Sequence, residues 1–399
     1  MLIGVVGKPN VGKSTFFKAL TLADVYIANY PFATIKPNSG VAYVRVERVD
    51  TEFGVISTPR FGFNKGKYRF VSVQAMDVAG LVPGAHEGKG MGNQFLDDLR
   101  QADAFIHIID ASGSTTIGGE PVAPGMHDPC DDVRFLEDEL NAWYFQILKK
   151  GWDKFAKIVT MEHENAVKAI SKQFTGLGAN EDTFKEIIEG LKLNEVPLAK
   201  WTDENLNELA RLLRQKTKPM IIAANKADVP VAFDNIKKLK EKFPEYLIIP
   251  CSAESELALR EADSKGLIKY VPGDSDFEIP DESKLSDKQK TALAFIKENI
   301  LHKFGSTGVQ NAIDEAVFGL LKYIAVFPGG VHKLEDSEGR ILPDCFLMPP
   351  NTTSLDFAFK IHTDLGKNFI TAMNVRTKKP VGKDYVIKHR DVIEVITSK

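Results

Sequence analysis

Apolar positions divide the chain into strand-sized runs and longer stretches with a helical period. Residues 1–6 form an apolar run of buried-strand length, and after a loop residues 15–20 continue as a helix. Residues 40–46 alternate as a strand does, 70–77 reads as another, and 104–110 is an apolar run of the buried type. The period then changes. Leu136, Leu140, Trp143 and Ile147 recur at helical spacing, and Phe155, Val159, Ala166 and Ile170 continue it with gaps. Phe184, Ile187, Ile188 and Leu191 follow, and Thr202 can cap a helix bearing Leu206, Leu209 and Leu213. Such stripes are most simply helix–helix core. Residues 219–224 and 246–250 return to strands. After a polar linker over 273–286, helices are expected over about 287–304 and 308–325. Beyond them a small mixed β part holds a helix capped by Thr353 or Ser354 and short strands or turns at 369–375, 384–387 and 392–396. The pattern predicts an α/β chain in three parts: a domain with a mostly parallel sheet over 1–130 and 217–322, an α-helical insertion over 131–216, and a C-terminal domain over 323–399.

Composition narrows this picture modestly. Lys and Arg number 51 against 54 Asp and Glu, so any basic surface is local. Cys130, Cys251 and Cys345 are scattered without metal-ligand spacing and read as small buried residues in a reducing compartment. The longest apolar runs are too short for a membrane span, and Lys8 and Lys13 interrupt the start before a signal-peptide core forms. A soluble, cytoplasmic monomer is the expectation.

The chemistry begins in the first loop. Residues 7–14 read G-x-x-x-x-G-K-S between a strand and a helix. Such a loop wraps backbone N–H groups of Val11, Gly12, Lys13, Ser14 and Thr15 round phosphate oxygens. Lys13 reaches the β- and γ-phosphates, and the Ser14 hydroxyl ligates Mg2+. Thr34, in a loop with two prolines, is a candidate second hydroxyl on the metal or an ordinary loop threonine. Asp77 closes a strand where a carboxylate can hold a Mg2+ water, and Gly80 can offer its N–H to the γ-phosphate. A glycine-rich segment follows, with Leu81 where Ras-like GTPases place a glutamine to orient water. Leu81 cannot do that. His86 is the imidazole in this segment, a candidate water-orienting group or a solvated loop histidine.

Residues 225–228 read N-K-A-D. Asp228 can accept from guanine N1–H and N2–H2, which adenine cannot supply. Asn225 can bond guanine N7 or tie loops together, and the Lys226 stem can lie along the base. Ser252 and Ala253 follow another strand, where a backbone N–H can meet guanine O6.

These motifs, with N-Y-P-F-A-T at 29–34 and D-V-A-G-L at 77–81, resemble the Obg family of P-loop GTPases, and within it the YchF branch that includes the Obg-like ATPases. The resemblance implies K+ on the residue matching Asn10, which would supplement positive charge at the phosphates; a turn role is the alternative. It also implies a helical insertion that can serve as a partner-binding arm; with Leu81 in place of the glutamine, either another residue positions the water or hydrolysis is slow and partner-driven. Members of the branch often carry N-x-x-E and prefer ATP, whereas this chain's N-K-x-D points to GTP and GDP. Residues 355–361, 362–366 and 391–394 resemble the TGS domain, a ubiquitin-like β-grasp module. Lys367, Arg376, Lys378, Lys379, Lys383, Lys388 and Arg390, with Asp384 the one acid among them, form either an RNA-contacting patch or a solvated mixed face.

The leading expectation is therefore a GTP-hydrolysing switch acting with the ribosome or structured RNA in translation or stress response. An ATP-preferring NTPase, a scaffold with little hydrolysis and a small-molecule kinase are the alternatives. A kinase has no need of a guanine pocket.

Overall fold

The computed structural model describes residues 1–21, 39–78, 84 and 100–398. In chain order its strands are β1 (Leu2–Val6), β2 (Ser39–Glu47), β3 (Phe63–Lys65), β4 (Tyr68–Asp77), β5 (Ala104–Asp110), β6 (Met220–Asn225) and β7 (Ile248–Pro250). There follow β8 (Lys269–Tyr270), β9 (Phe277–Glu278), β10 (Ile324–Pro328), β11 (Phe346–Met348), β12 (Phe369–Asn374), β13 (Lys379–Val381) and β14 (Val392–Thr397). The helices nearest the chemistry are α1 (Lys13–Thr21), α2 (Pro129–Lys149), α3 (Trp152–Met161), α4 (Ala166–Gln173), α5 (Glu181–Gly190) and α6 (Asp203–Thr217). Contacts gather the chain into two compact units, one of Met1–Thr15 and Met76–Ala253, the other of Phe16–Ala75 and Glu254–Lys399.

In the first unit β1, β5, β6 and β7 lie side by side in that order, all parallel. Strands covered on both faces need apolar side chains throughout, and β5 and β6 bury every residue. The register sets Val6 opposite His107 and Asp110 opposite Asn225, so the polar ends of the strands gather at one edge. Beside them the Val78 N–H, just past the end of β4, donates to the Val5 carbonyl at 3.0 Å.

The helical stretch starts where its caps dictate. The Asp128 side chain accepts from the Cys130 N–H with Pro129 in the first turn of α2, and Thr202 and Asn205 form a capping box at α6. Leu136, Leu140 and Trp143 of α2 share an apolar cluster with Leu206, Leu209 and Leu213 of α6, and with Val6 and Phe105 of the sheet. Helices and sheet therefore have one continuous core.

In the second unit β3 and β4 form an antiparallel hairpin in which Phe63 stacks on Phe70, ring centroids 4.7 Å apart. Arg45 on β2 donates Nε to Asp314 at 2.7 Å, which ties the helix Val309–Asp314 to that strand. The C-terminal sheet has the order β11-β10-β14-β12-β13, with β10 and β14 parallel and the other pairs antiparallel. Thr353 caps the helix Ser354–Ile361, whose Phe357 packs with Val326, Met348, Ala372 and Ile393. Buried Arg69 joins β4 to the 342–343 segment, its Nη2 donating to the Pro343 carbonyl at 2.7 Å.

One expected element differs. The helix expected over 308–325 ends by Leu320, and Ile324–Pro328 is a buried strand. Leucine and isoleucine continue the helical spacing into this run, but Lys322 adopts a left-handed φ of 56° that ends the helix, and the chain re-enters as β10. Residues 384–387 form a turn and an isolated bridge, Thr353 to Val386, closed by the Ser354 N–H donating to the Tyr385 carbonyl at 3.0 Å and the Ile387 N–H to the Thr352 carbonyl at 2.9 Å.

Candidate nucleotide-binding site

The phosphate loop leaves β1 at Gly7 and enters α1 at Lys13. Gly12 has φ of 88°, and a Cβ there would fall on the Asn225 amide; glycine is required by both conformation and space. Asn10 is also left-handed, with φ of 62°, and its Nδ2 donates to the Gly119 carbonyl at 2.8 Å. Gly119 in turn packs so closely on Pro9 that a Cβ would sit 2.9 Å from the Pro9 carbonyl oxygen. The loop after β5 thus braces the phosphate loop.

Lys13 Nζ donates to Asp77 Oδ1 at 2.9 Å, which brings the phosphate-binding lysine and the candidate metal-side carboxylate together. Ser14 is exposed on the first turn of α1. A serine hydroxyl, a carboxylate and phosphate oxygens are hard donors that suit Mg2+, which keeps several waters of its own. Thr34, Gly80, Leu81 and His86 lie outside the described residues. Gly84, which is described, donates its N–H to Glu139 of α2 at 2.8 Å.

At the base end Asn225 ties loops together. Its Nδ2 donates to the Val11 carbonyl at 2.9 Å, and its Oδ1 accepts from the Ala253 N–H at 3.0 Å. The tie uses Oδ1 and one of the two Nδ2 hydrogens. Asp228 accepts from the Ser252 hydroxyl at 2.8 Å, which orients the half-buried carboxylate. Lys226, left-handed at φ of 61°, sends Nζ to Asp110 Oδ2 at 2.9 Å and to Ser114 Oγ at 3.1 Å.

Asp110 is a hub that motif spacing does not announce. It is fully buried and accepts from Ser112, Ser114, Thr115 and Lys226. Burial pushes its carboxyl up, yet hydrogen bonds from Ser112, Lys226 and Ser114 hold it below the usual carboxylate value. The signal was present in an apolar strand ending in Asp and followed closely by Ser112, Ser114 and Thr115. A second missed feature is Lys8, whose buried ammonium donates to the Thr115 carbonyl at 2.8 Å and to Asp132 of α2 at 2.7 Å. His127 Nε2 lies 2.7 Å from the same Asp132 oxygen. Burial lowers Lys8 and raises Asp132, and the hydrogen bond between them opposes both shifts.

Comparison with known proteins bears on this geometry. Residues 2–124 match the model of a 50S ribosome-binding GTPase, 223–330 that of an Obg-like GTPase YGR210-like, G4 motif-containing domain, and 333–397 the TGS domain. A protein named as an uncharacterised GTP-binding protein of Methanocaldococcus jannaschii is 49% identical over 398 residues, covering 100% of this chain and 99% of its own. The chain belongs to the Obg-like, YchF-type family of P-loop GTPases. A GTP-binding protein of Schizosaccharomyces pombe is 38% identical over 89% of this chain and 88% of its own. The crystal structure of a GTP-binding protein from Pyrococcus horikoshii covers 100% of both chains at 40% identity with a TM-score of 0.78. The ribosome-binding ATPase YchF of Escherichia coli O157:H7 is more distant, at 27% identity over 98% of each chain.

Within this YchF-type chain the C-terminal basic stretch is not one uniform patch. Arg376 and Arg390 are held by acids: both guanidinium groups reach Glu52, at 2.7 Å and 2.6 Å, and Arg390 also reaches Glu47 at 3.2 Å. Lys367, Lys378, Lys379, Lys383 and Lys388 are exposed and form no ion pair among the described residues. No helix among the described residues is long and apolar enough to cross a membrane.

Proposed function

We propose that this GTPase-family protein is a GTP-selective switch that hydrolyses its nucleotide slowly and acts with the ribosome or another structured RNA. The observation that carries GTP over ATP is the Asp228 carboxylate, oriented by Ser252 beside the Asn225 tie. Guanine adds two N–H donors to that carboxylate, whereas adenine adds none, and an acceptor covered by a base that gives it no donor is costly. The ribosome reading draws on the matched 50S ribosome-binding GTPase model and on relatives named ribosome-binding ATPase YchF.

In this reading backbone N–H groups from Val11 to Thr15 cradle the phosphates, and Lys13 exchanges its contact with Asp77 for phosphate oxygens. Ser14, Thr34 and Asp77 would hold Mg2+, which would supply neutralisation of phosphate charge. Gly80 contacts the γ-phosphate, and His86 is the candidate that orients water where Leu81 cannot. Asn10 spends Nδ2 on Gly119, which leaves Oδ1 as its ligand atom for K+.

Co-sedimentation with ribosomes tests the reading. With a non-hydrolysable GTP analogue the parent should pellet with ribosomes, and the matching ATP analogue at equal concentration should not support it. Asp228→Ala should need about 10- to 100-fold more GTP analogue, the loss of charge-assisted hydrogen bonds to the base. Equal support by both analogues would remove the guanine reading; pelleting independent of nucleotide would remove the switch.

A further inference from the structure

The antiparallel register of β12 and β14 places the two C-terminal arginines side by side. Asn374, the last residue of β12, lies opposite Ile393 near the start of β14. Arg376 leaves the sheet just after the one, and Arg390 enters just before the other. The turn from β12 to β13 adds Lys378 and Lys379 at the same end, since Asn374 also pairs with Lys379, and Lys388 sits in the loop that carries Arg390. Lys367 and Lys383 belong to the opposite ends of these strands. The seven basic residues of the sequence therefore resolve into one cluster of five and two outliers.

Within the cluster the arginines share one anion, Glu52, while Glu47 lies 3.2 Å from Arg390 and Asp391 3.9 Å from Arg376. Arg376 donates Nε to Glu52 Oε2 at 2.7 Å and Nη2 to Oε1 at 3.0 Å, and Arg390 donates Nη2 to Oε1 at 2.6 Å. Arg390 holds a left-handed φ of 67°, and its Nε and Nη2 also donate to the carbonyls of Glu47 and Arg48. Glu52 stands on a short 3-10 turn, Asp50–Phe53, which is itself fixed by Asp50 accepting from Arg48 and from the Ser57 N–H. Arg376 thus presents a fork of two N–H donors to the carboxylate and Arg390 adds a single Nη2 donor, an arrangement that also fits a phosphate.

We propose that this end of the C-terminal sheet docks an RNA backbone, and that Glu52 is the chain's own occupant of the phosphate position between Arg376 and Arg390. The proposal rests on the RNA reading above and adds a mask to it. Glu52 is 37% exposed and the arginines 27% and 26%, so the ion pairs stand in water and are held weakly. A phosphate brings more acceptor oxygens to the same two guanidinium groups and releases counterions from the RNA as it binds. The three neighbouring lysines, which have no acid of their own among the described residues, supply the attraction that brings RNA to the masked pair.

The test measures anisotropy of a fluorescein-labelled RNA hairpin against salt concentration, using the full chain. Glu52→Gln keeps shape and removes the charge; it should bind the hairpin roughly ten-fold tighter at low salt, with a salt slope steeper by about 1 to 2. Arg376→Gln with Arg390→Gln should erase that gain in the Glu52→Gln background and change the parent less than about two-fold. The same arginine pair also serves as the control for folding, because it breaks the ion pairs without unmasking anything. If Glu52→Gln binds like the parent while Lys378→Ala, Lys379→Ala and Lys388→Ala together weaken binding, RNA docks there but Glu52 is no mask, and the proposal is overturned. If poly-L-glutamate gains as much as the hairpin from Glu52→Gln, the surface fits an acidic protein and the proposal is again overturned. If no form binds the hairpin, the RNA reading fails together with it.

Discussion

Asn10 shows what one side chain can settle about a site. In a left-handed turn an asparagine often serves its own backbone, but here Nδ2 goes to Gly119, 109 residues away, and the amide orientation is thereby fixed. An orientation so fixed leaves Oδ1 for a cation, which is the condition for K+ to act at the phosphates. Single-turnover phosphate release should then be at least about ten-fold faster in K+ than in Na+, and Asn10→Ala should lose that dependence while keeping nucleotide binding. Equal rates in the two salts would leave Asn10 a brace for the 119 loop alone. His86→Ala in the same assay asks whether the imidazole orients water; parent-like release removes that role. Lys13, Asp228 and Ser252 were legible in the sequence because each belongs to a short motif whose spacing encodes its chemistry. Lys8 and Asp132 were not. They are 124 residues apart and of ordinary surface types, and only folding reveals that burial pairs them.

At the scale of elements, the turn after β2 is held by one acid. Asp50 is 1% exposed and accepts from Arg48 and from the Thr51 and Ser57 N–H groups. Burial alone would raise its carboxyl, but Arg48 and Ser57 outweigh burial and lower it from 3.8 to about 2. A carboxyl depressed on folding contributes stability above its unfolded value, and that contribution is lost as pH falls from about 4 through about 2. Asp50→Asn should therefore cost about 1–3 kcal/mol at neutral pH, and its deficit against the parent should shrink to nothing as the pH falls through that window. Denaturant melts at several pH values read this directly, and a deficit unchanged at acid pH would assign the cost to packing instead. Elements built on one strong signal were legible, as with the capped helix at Thr353 and the buried run of β5. The boundary at β10 was not, because Leu320, Leu321 and Ile324 satisfy a helical period while the left-handed Lys322 and the pairing of β10 with β14 decide otherwise.

For the whole molecule, the helical stretch is where packing adds most to what the sequence implies. In sequence, a stripe such as Leu136, Leu140 and Trp143 can be satisfied by other helices of the insertion alone. Here that stripe belongs to one apolar cluster with Val6, Met76, Val78 and Phe105, and so includes residues from the strands that carry the phosphate loop and Asp77. Lys8 extends the same connection with a buried ion pair into α2. Deleting 131–216 would uncover those residues, each worth about 1.5–3 kcal/mol of burial, and leave the Lys8 ammonium without its carboxylate. Such a loss, about 6–12 kcal/mol from the four apolar residues before the stranded ammonium is added, is of the size of an ordinary domain's whole stability. The shortened chain is thus expected to aggregate and to bind no GTP, rather than to fold as a trimmed GTPase. Sedimentation and nucleotide titration of that deletion decide the matter, because a soluble shortened chain with parent-like GTP affinity would show the helices to be a separate arm after all.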